Sequence, residues 1–233
     1  MFASRIRSLR WRRVAVTFFT LLSARALTAA DARQATPPPP GQVAHPNQNP
    51  PNTKLPNTVS APPFTVREKF DYRVVQSLGF RGLGGSLVGA AIGQARDAPY
   101  EWGQGAEGFA KRYGSGLAGN LSRQTFAFVI ESALHEDPRY FPSQDKRKKQ
   151  RAWNAVKQVF LCKTDNGNSS FAYGKVFSQF ASGQFTNVWQ PASTGSVTDG
   201  LVRAVVGLGG DTAYNFMQEF LPFTRPRSLR HRH

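Results

Sequence analysis

Proline is distributed so unevenly along this chain of 233 residues that it divides the sequence into regions with different folding potential. Residues 33–63 contain ten of the sixteen prolines, including the run Pro37–Pro40, among mostly Asn, Gln, Thr and Ala. Such a stretch cannot bury enough apolar surface to offset the entropy of ordering it, and proline favours an extended backbone. We therefore predict a disordered, semi-rigid spacer over residues 33–63.

The prolines after the spacer indicate a helical fold, because they all fall between segments in which apolar residues recur with helical spacing. We predict an all-α fold, a single helical domain of about five helices over residues 64–222, followed by a basic tail over residues 223–233. The first helix begins with a capping box, Thr65 and Glu68, and the last begins near Ser196 with Asp199 three residues on. The predicted helices are 66–96 (with a break near 79–85), 99–136 (interrupted near Gly114), 145–163, 170–189 and 196–220.

The first 32 residues have the organisation of an export signal. Five arginines precede the short apolar run Val14–Ser23, and the small-residue stretch Ala24–Ala32 follows. A membrane-spanning helix needs about 20 apolar residues, twice the length of this run. We therefore predict a cleaved signal peptide over residues 1–32, with an uncleaved anchor as the alternative. The predicted location is the periplasm, or the periphery of the outer membrane, in a Gram-negative-type envelope.

The charge balance indicates the kind of partner. Removing residues 1–32 from a chain of net charge +16 leaves 24 basic and 13 acidic residues, a net charge of +11. Outside the cytoplasm this excess favours anionic lipid or lipopolysaccharide over nucleic acid, with a solubility charge as the alternative. The tail is either a disordered end or an electrostatic contact to such a surface. Its candidate binding residues are Arg225, Arg227, Arg230 and Arg232.

Glycines recur at every fourth position in the first predicted helix, at Gly85, Gly89 and Gly93. This spacing places all three on one face, where a second helix backbone can approach closely. The predicted role is helix packing, either inside the domain, between copies in a homo-oligomer, or at a membrane. Gly174, Ser178 and Ser182 repeat the spacing in a later helix, and Gly200 and Ala204 do so more weakly.

The only candidate chemical site lies at the end of the second predicted helix. Glu131 and His135 are one turn apart and could ligate a metal ion together, with Glu136 and Asp137 supplying further carboxylates. His135 is the only histidine in the predicted domain, so any such site would need mostly carboxylates. We therefore predict no metal and no cofactor, and treat these four residues as weak catalytic candidates.

The alternative for this segment is a polar stripe of the helix that faces solvent. Asn120 and Gln124 share a face with Glu131 and His135, while apolar residues line the opposite side. In this alternative Asp137 pairs locally with Arg139, and the aromatic residues that follow dock on the core.

Several short motifs occur in a fixed order and extend across residues 64–222. The ordered set resembles a family of exported, uncharacterised proteins abundant in Acidobacteria. The resemblance implies export and a single domain, and it implies no catalytic residue. The motifs are Glu101-Trp-Gly-Gln-Gly, Lys111-Arg-Tyr-Gly, His135-Glu-Asp-Pro-Arg-Tyr-Phe, Lys163-Thr-Asp, Asn187-Val-Trp-Gln-Pro and Gly209-Gly-Asp, the last followed by Asn215-Phe and Glu219-Phe.

Together these features predict a non-enzymatic protein of the cell envelope. Its helical domain would associate with itself or bind an anionic membrane surface. The alternative is a metal-dependent or acid–base hydrolase of the envelope that uses Glu131, His135, Glu136 and Asp137.

Overall fold

The computed structural model describes residue 55 and residues 57–224, and this part of the chain forms a helical domain. The prediction of an all-α fold is confirmed, since six α-helices are accompanied by a single two-stranded sheet in the described residues. The elements are, in chain order, α1 (Val66–Leu78), α2 (Phe80–Ala95), α3 (Gly105–Ala133), α4 (Lys148–Phe160), β1 (Leu161–Lys163), β2 (Ser169–Phe171), α5 (Tyr173–Phe185) and α6 (Val197–Phe220).

Capping boxes begin the first and the last helix, as the sequence predicts. The Thr65 hydroxyl accepts a hydrogen bond from the backbone N–H of Glu68, and the Glu68 carboxylate accepts one from the backbone N–H of Thr65 at 2.8 Å. Ser196 and Asp199 form the same reciprocal pair at the start of α6. Each box satisfies two N–H groups that would otherwise lack partners at a helix start.

The predicted break in the first helix is confirmed, and the predicted interruption of the second is wrong. Gly79 has an extended backbone and separates α1 from α2. Helix α3 begins at Gly105 instead of Pro99, because a short 3-10 turn and Gly103, with a φ of 67°, precede it. From there it continues through Gly114 without a break for 29 residues.

A β-hairpin replaces the helical ends that were predicted on either side of residues 163–170. Strand β1 pairs with β2 in antiparallel register, with Leu161 opposite Phe171. The turn between them includes Gly167 at a φ of 78°, a backbone conformation that glycine adopts without strain. Helix α4 therefore ends at Phe160 and α5 starts only at Tyr173.

Helix α3 is the centre of the domain, with α1, α2 and α5 packed around it, while α6 packs on α5 and α4. The contact between α5 and α6 is very close at Gly183, where an added Cβ would lie 2.3 Å from the backbone oxygen of Gly200. The predicted packing role of small residues therefore holds for these two helices. Their buried small residues are Gly174, Ser178, Ser182, Gly183, Gly200 and Ala204.

The end of the predicted spacer is part of the folded domain, which corrects its boundary at residue 63. Leu55 is fully buried. Thr58 forms an antiparallel bridge with Ser143, and the backbone N–H of Val59 donates to the carbonyl of Pro142 at 3.0 Å. These backbone bonds and one buried leucine order a short segment whose composition alone indicates disorder.

Candidate functional site

Glu131, the first of the four candidate catalytic residues, is buried in an ion pair. The Arg73 guanidinium from α1 donates to both carboxylate oxygens, and its Nε lies 2.9 Å from Oε2 of Glu131. The same guanidinium donates to Oε1 of Gln124 at 2.8 Å. Glu131 and Gln124 therefore face the interior, and the alternative of a solvent-facing stripe is wrong for both.

Glu136 and Asp137 have structural partners as well. The carboxylate of Glu136 accepts the backbone N–H groups of Tyr173 at 3.0 Å and Gly174 at 2.8 Å, so it caps the start of α5. Burial raises the pKa of Glu136 above its ordinary value. Asp137 pairs with Arg139, whose Nε donates to Oδ1 at 2.9 Å, as the local-pairing alternative predicts.

His135 lies apart from these carboxylates. It follows the end of α3 with a φ of 55°, and its side chain is exposed. Its Nδ1 lies 3.4 Å from Oδ2 of Asp165, which also accepts a hydrogen bond from Lys69 at 2.8 Å. Nowhere in the described residues do three or more His, Cys, Asp or Glu side chains meet in a way that could hold a metal ion.

A second buried ion-pair cluster, which the sequence analysis did not identify, surrounds Asp211 of α6. Both carboxylate oxygens lie 2.9 Å from Nη2 of Arg123, and one also accepts from Arg81. Gln179 of α5 donates to the carboxylate at 2.9 Å. Burial by itself would raise the pKa of Asp211, but the charges of Arg123 and Arg81 outweigh it and lower that pKa.

A third buried cluster forms around Glu219, near the end of α6. Its carboxylate accepts hydrogen bonds from the Tyr140 hydroxyl and from Nε of Arg151, the latter at 2.8 Å. Asn154 donates to the Tyr140 hydroxyl at 3.0 Å and joins α4 to the cluster. The interior of the domain is thus held together largely by polar and charged groups from separate helices.

The outward face of α6 shows the opposite composition. Leu201, Val205 and Val206 are exposed, Val206 to 68%. The face extends to Phe220, which at 1.5 Å per residue is about 29 Å from Leu201. The charged residues of α6 beyond Leu201 lie elsewhere, since Asp211 and Glu219 are buried and Arg203 donates to backbone carbonyls beside the helix.

The outward face of α2 is also apolar and includes two of the predicted zipper glycines. A Cβ at Gly85 or Gly89 would meet no atom within 4 Å, so neither packs on another helix in the described residues. Gly93 alone is close to a neighbour, since its Cβ would lie 3.2 Å from Cδ of Arg112. The face of α2 that packs on α3 consists of Gly82, Ser86 and Ala90.

The tail arginines and Cys162 are the remaining features that the sequence singles out. Arg225, Arg227, Arg230 and Arg232, the predicted anion-binding residues of the tail, lie outside the described residues. Cys162 is buried, and burial raises the pKa of its thiol to about 12, which fits a small apolar residue and not a nucleophile.

Among the described helices, none has the length and hydrophobicity needed to cross a membrane. No protein-family model, curated protein or solved structure matches the chain.

Proposed function

We propose that the chain is a non-enzymatic protein of the cell envelope whose helical domain binds an anionic lipid surface, with the outward face of α6 lying in the boundary between headgroups and acyl chains. The observation that supports this proposal best is the uncharged, exposed face of α6 described above. The organisation of residues 1–32 supports the envelope as the compartment.

The apolar face is too extensive to be ordinary surface variation. Its members on α6 are each exposed by a third or more of their surface, and further apolar residues are exposed on α1 and α2. Single exposed apolar residues are common on soluble proteins, but contiguous patches mark surfaces that another phase or partner covers. The exposed apolar residues on these three helices are Phe70, Val74, Val75, Leu78, Phe80, Leu83, Leu87, Val88, Ile92, Val197, Leu201, Val202, Val205, Val206, Met217 and Phe220.

Cations and aromatic rings adjoin one end of this face. Arg151 of α4 lies over the ring of Phe220 at 4.8 Å, so the start of α4 is next to the end of α6. The exposed basic run Lys146–Lys149 is separated from Arg151 only by Gln150, and Trp153 follows with 56% of its surface exposed. Basic residues attract anionic headgroups, and tryptophan favours the membrane interface. This combination favours lipid over a second copy of the chain.

A matched pair of charge insertions tests the proposal. We expect Val202→Glu with Val206→Glu to abolish cosedimentation with vesicles of phosphatidylglycerol and phosphatidylethanolamine, because two carboxylates would enter the apolar boundary. The control is Ala106→Glu with Ala110→Glu, which adds the same charge at the same spacing on an exposed part of α3. We expect this control to bind like wild type, apart from a small loss through net charge.

The basic run provides a second, independent test. We expect Lys148→Gln with Lys149→Gln to weaken vesicle binding at low salt, and binding of wild type to fall steeply towards 0.15 M salt. Lys111→Gln, on the exposed start of α3, is the control for the loss of one positive charge elsewhere on the surface. Equal vesicle binding by the variant with glutamates at 202 and 206 and by the control with glutamates at 106 and 110 would contradict the proposal. So would a lipid-independent dimer, measured by analytical ultracentrifugation, that only the Val202 and Val206 substitutions dissociate.

A further inference from the structure

A small cavity lies where side chains from all six helices meet, next to the ion pair of Asp211. Its lining includes Arg73, Arg81, Arg123 and Lys175, with Asp211 as the acidic residue. Arg123 and Lys175 are each buried to about nine-tenths. The cavity belongs to neither the apolar face of α6 nor the Glu131–Asp137 segment.

The charges around this cavity do not balance. Four cations line it, while the carboxylates that pair with them are Asp211 and, through Arg73, Glu131. Asp211 is shared between Arg81 and Arg123. Arg81 is partly exposed, and Glu136 also interacts electrostatically with Lys175, so about one buried positive charge remains in excess. Burying an uncompensated charge costs several kcal/mol, so this excess calls for a further anion or for loss of a proton.

Some hydrogen-bond donors of the residues that line the cavity have no protein acceptor. Nε of Arg123 is buried and has no hydrogen-bond partner in the described residues. Nζ of Lys175 donates to the backbone oxygen of Gln158 at 3.1 Å, while an ammonium group has three N–H donors. Burial lowers the pKa of Arg123 to about 10 and also lowers that of Lys175, so a nearby anion would stabilise both charged forms.

The volume of the cavity limits the size of the ligand. Its volume is about 20 Å³. A single water needs roughly 10–15 Å³, so the cavity suits a compact ligand, and a monatomic anion is the most compact one. We propose that this cavity binds one monatomic anion, chloride in ordinary salt solutions, held by the guanidinium of Arg123 and the ammonium of Lys175.

Thermal unfolding in matched salts tests this site. We expect the melting temperature of the full chain to be higher in sodium chloride or bromide than in sodium gluconate at equal ionic strength. The increase should be about 3–5 °C for each tenfold excess of halide over its dissociation constant. Lys175→Met should abolish this halide dependence, whereas Lys111→Met, an exposed control, should keep it.

A second measurement does not depend on any variant folding. In crystals of the wild-type protein grown with sodium bromide, we expect an anomalous-scattering peak next to Nε of Arg123 and Nζ of Lys175. The absence of such a peak, with water in the cavity, would overturn the proposal. Identical melting temperatures in halide and gluconate would also overturn it, because Lys175 would then have to be balanced by losing its proton.

Discussion

The interior around α3 contains many charged and polar side chains, whereas the outward faces of α2 and α6 are apolar. A globular domain usually shows the reverse distribution. Inside, Arg73 with Glu131, and Arg123 with Asp211, are buried ion pairs that join separate helices. Outside, Val206 on α6 and Val88 on α2 are exposed to 68% and 59%. The buried polar groups position the helices through directed hydrogen bonds. The exposed apolar residues of α2 and α6 make no such contacts and are available to a lipid surface or another partner.

The buried ion pairs and the exposed apolar residues should respond differently to substitution. Buried ion pairs contribute little net stability compared with apolar packing, but removing one partner is very costly. Exposed valines and leucines contribute little until a partner removes them from water. The interior should therefore be sensitive to single substitutions, whereas the outward faces should tolerate them in the isolated domain and depend on them for binding.

The largest expected effect comes from breaking an interior ion pair. Glu131→Gln leaves the buried guanidinium of Arg73 without its counter-charge, and we expect the free energy of unfolding to fall by about 3–5 kcal/mol. Chemical denaturation monitored by circular dichroism measures this loss. The control is Glu107→Gln, which removes the exposed pair with Lys111 and should leave the unfolding transition almost unchanged. Equal effects of the two substitutions would remove the distinction between interior and surface.

A pair of glycine substitutions compares a packed helix face with an open one. Gly183→Ala places a Cβ 2.3 Å from the backbone oxygen of Gly200, so α5 and α6 must separate, and we expect a loss of about 1–3 kcal/mol. Gly89→Ala meets no neighbour on α2 and should be neutral or stabilising by up to about 1 kcal/mol. Melting temperatures of the two variants are the readout. Destabilisation by Gly89→Ala without lipid would mean that the outward face of α2 is packed in solution.

A pH dependence is expected at Lys163, whose Nζ donates to the backbone oxygen of Val59 at 3.1 Å. Burial lowers its pKa to about 8, below the value of about 10.4 in an unfolded chain. Between these values the unfolded chain binds more protons, so this residue's contribution to stability is unfavourable below about pH 8 and improves as the pH rises towards 10. We expect wild type to gain stability relative to Lys163→Met over this range, and parallel profiles would contradict the burial of the ammonium group.

Local signals in the sequence were sufficient to predict where the first and the last helix begin and where the first one breaks. Thr65 and Glu68 cap their helix through contacts three residues apart, and Gly79 interrupts it by its own conformation. The hairpin was missed because its strands have only three residues each, too few for an alternating pattern. The Asn166-Gly167 pair in its turn was the available signal.

The orientation of the helix faces could not be predicted in the same way. Periodicity correctly placed Gln124 and Glu131 on one face of α3, but it does not say whether that face points inward. Their partner, Arg73, is 58 residues from Glu131 in the chain, and Asp211 is 88 residues from Arg123. Only the packing of α1, α3 and α6 brings these charges together. The sequence therefore left two interpretations of the polar face of α3, a weak metal or catalytic site and a solvent-facing stripe, and neither includes the buried ion pair.

The most direct test of the account measures what the outward face of α6 contacts. A spin label attached at Val206→Cys reports collisions with dissolved oxygen, which enters lipid, and with a water-soluble nickel complex, which does not. Cys162 is buried with a raised thiol pKa and should remain unlabelled, and Ala106→Cys serves as an exposed control on α3. With anionic vesicles, we expect oxygen collisions to rise and nickel collisions to fall at position 206, with no change at position 106. Equal access of the nickel complex to position 206 with and without vesicles would contradict the account.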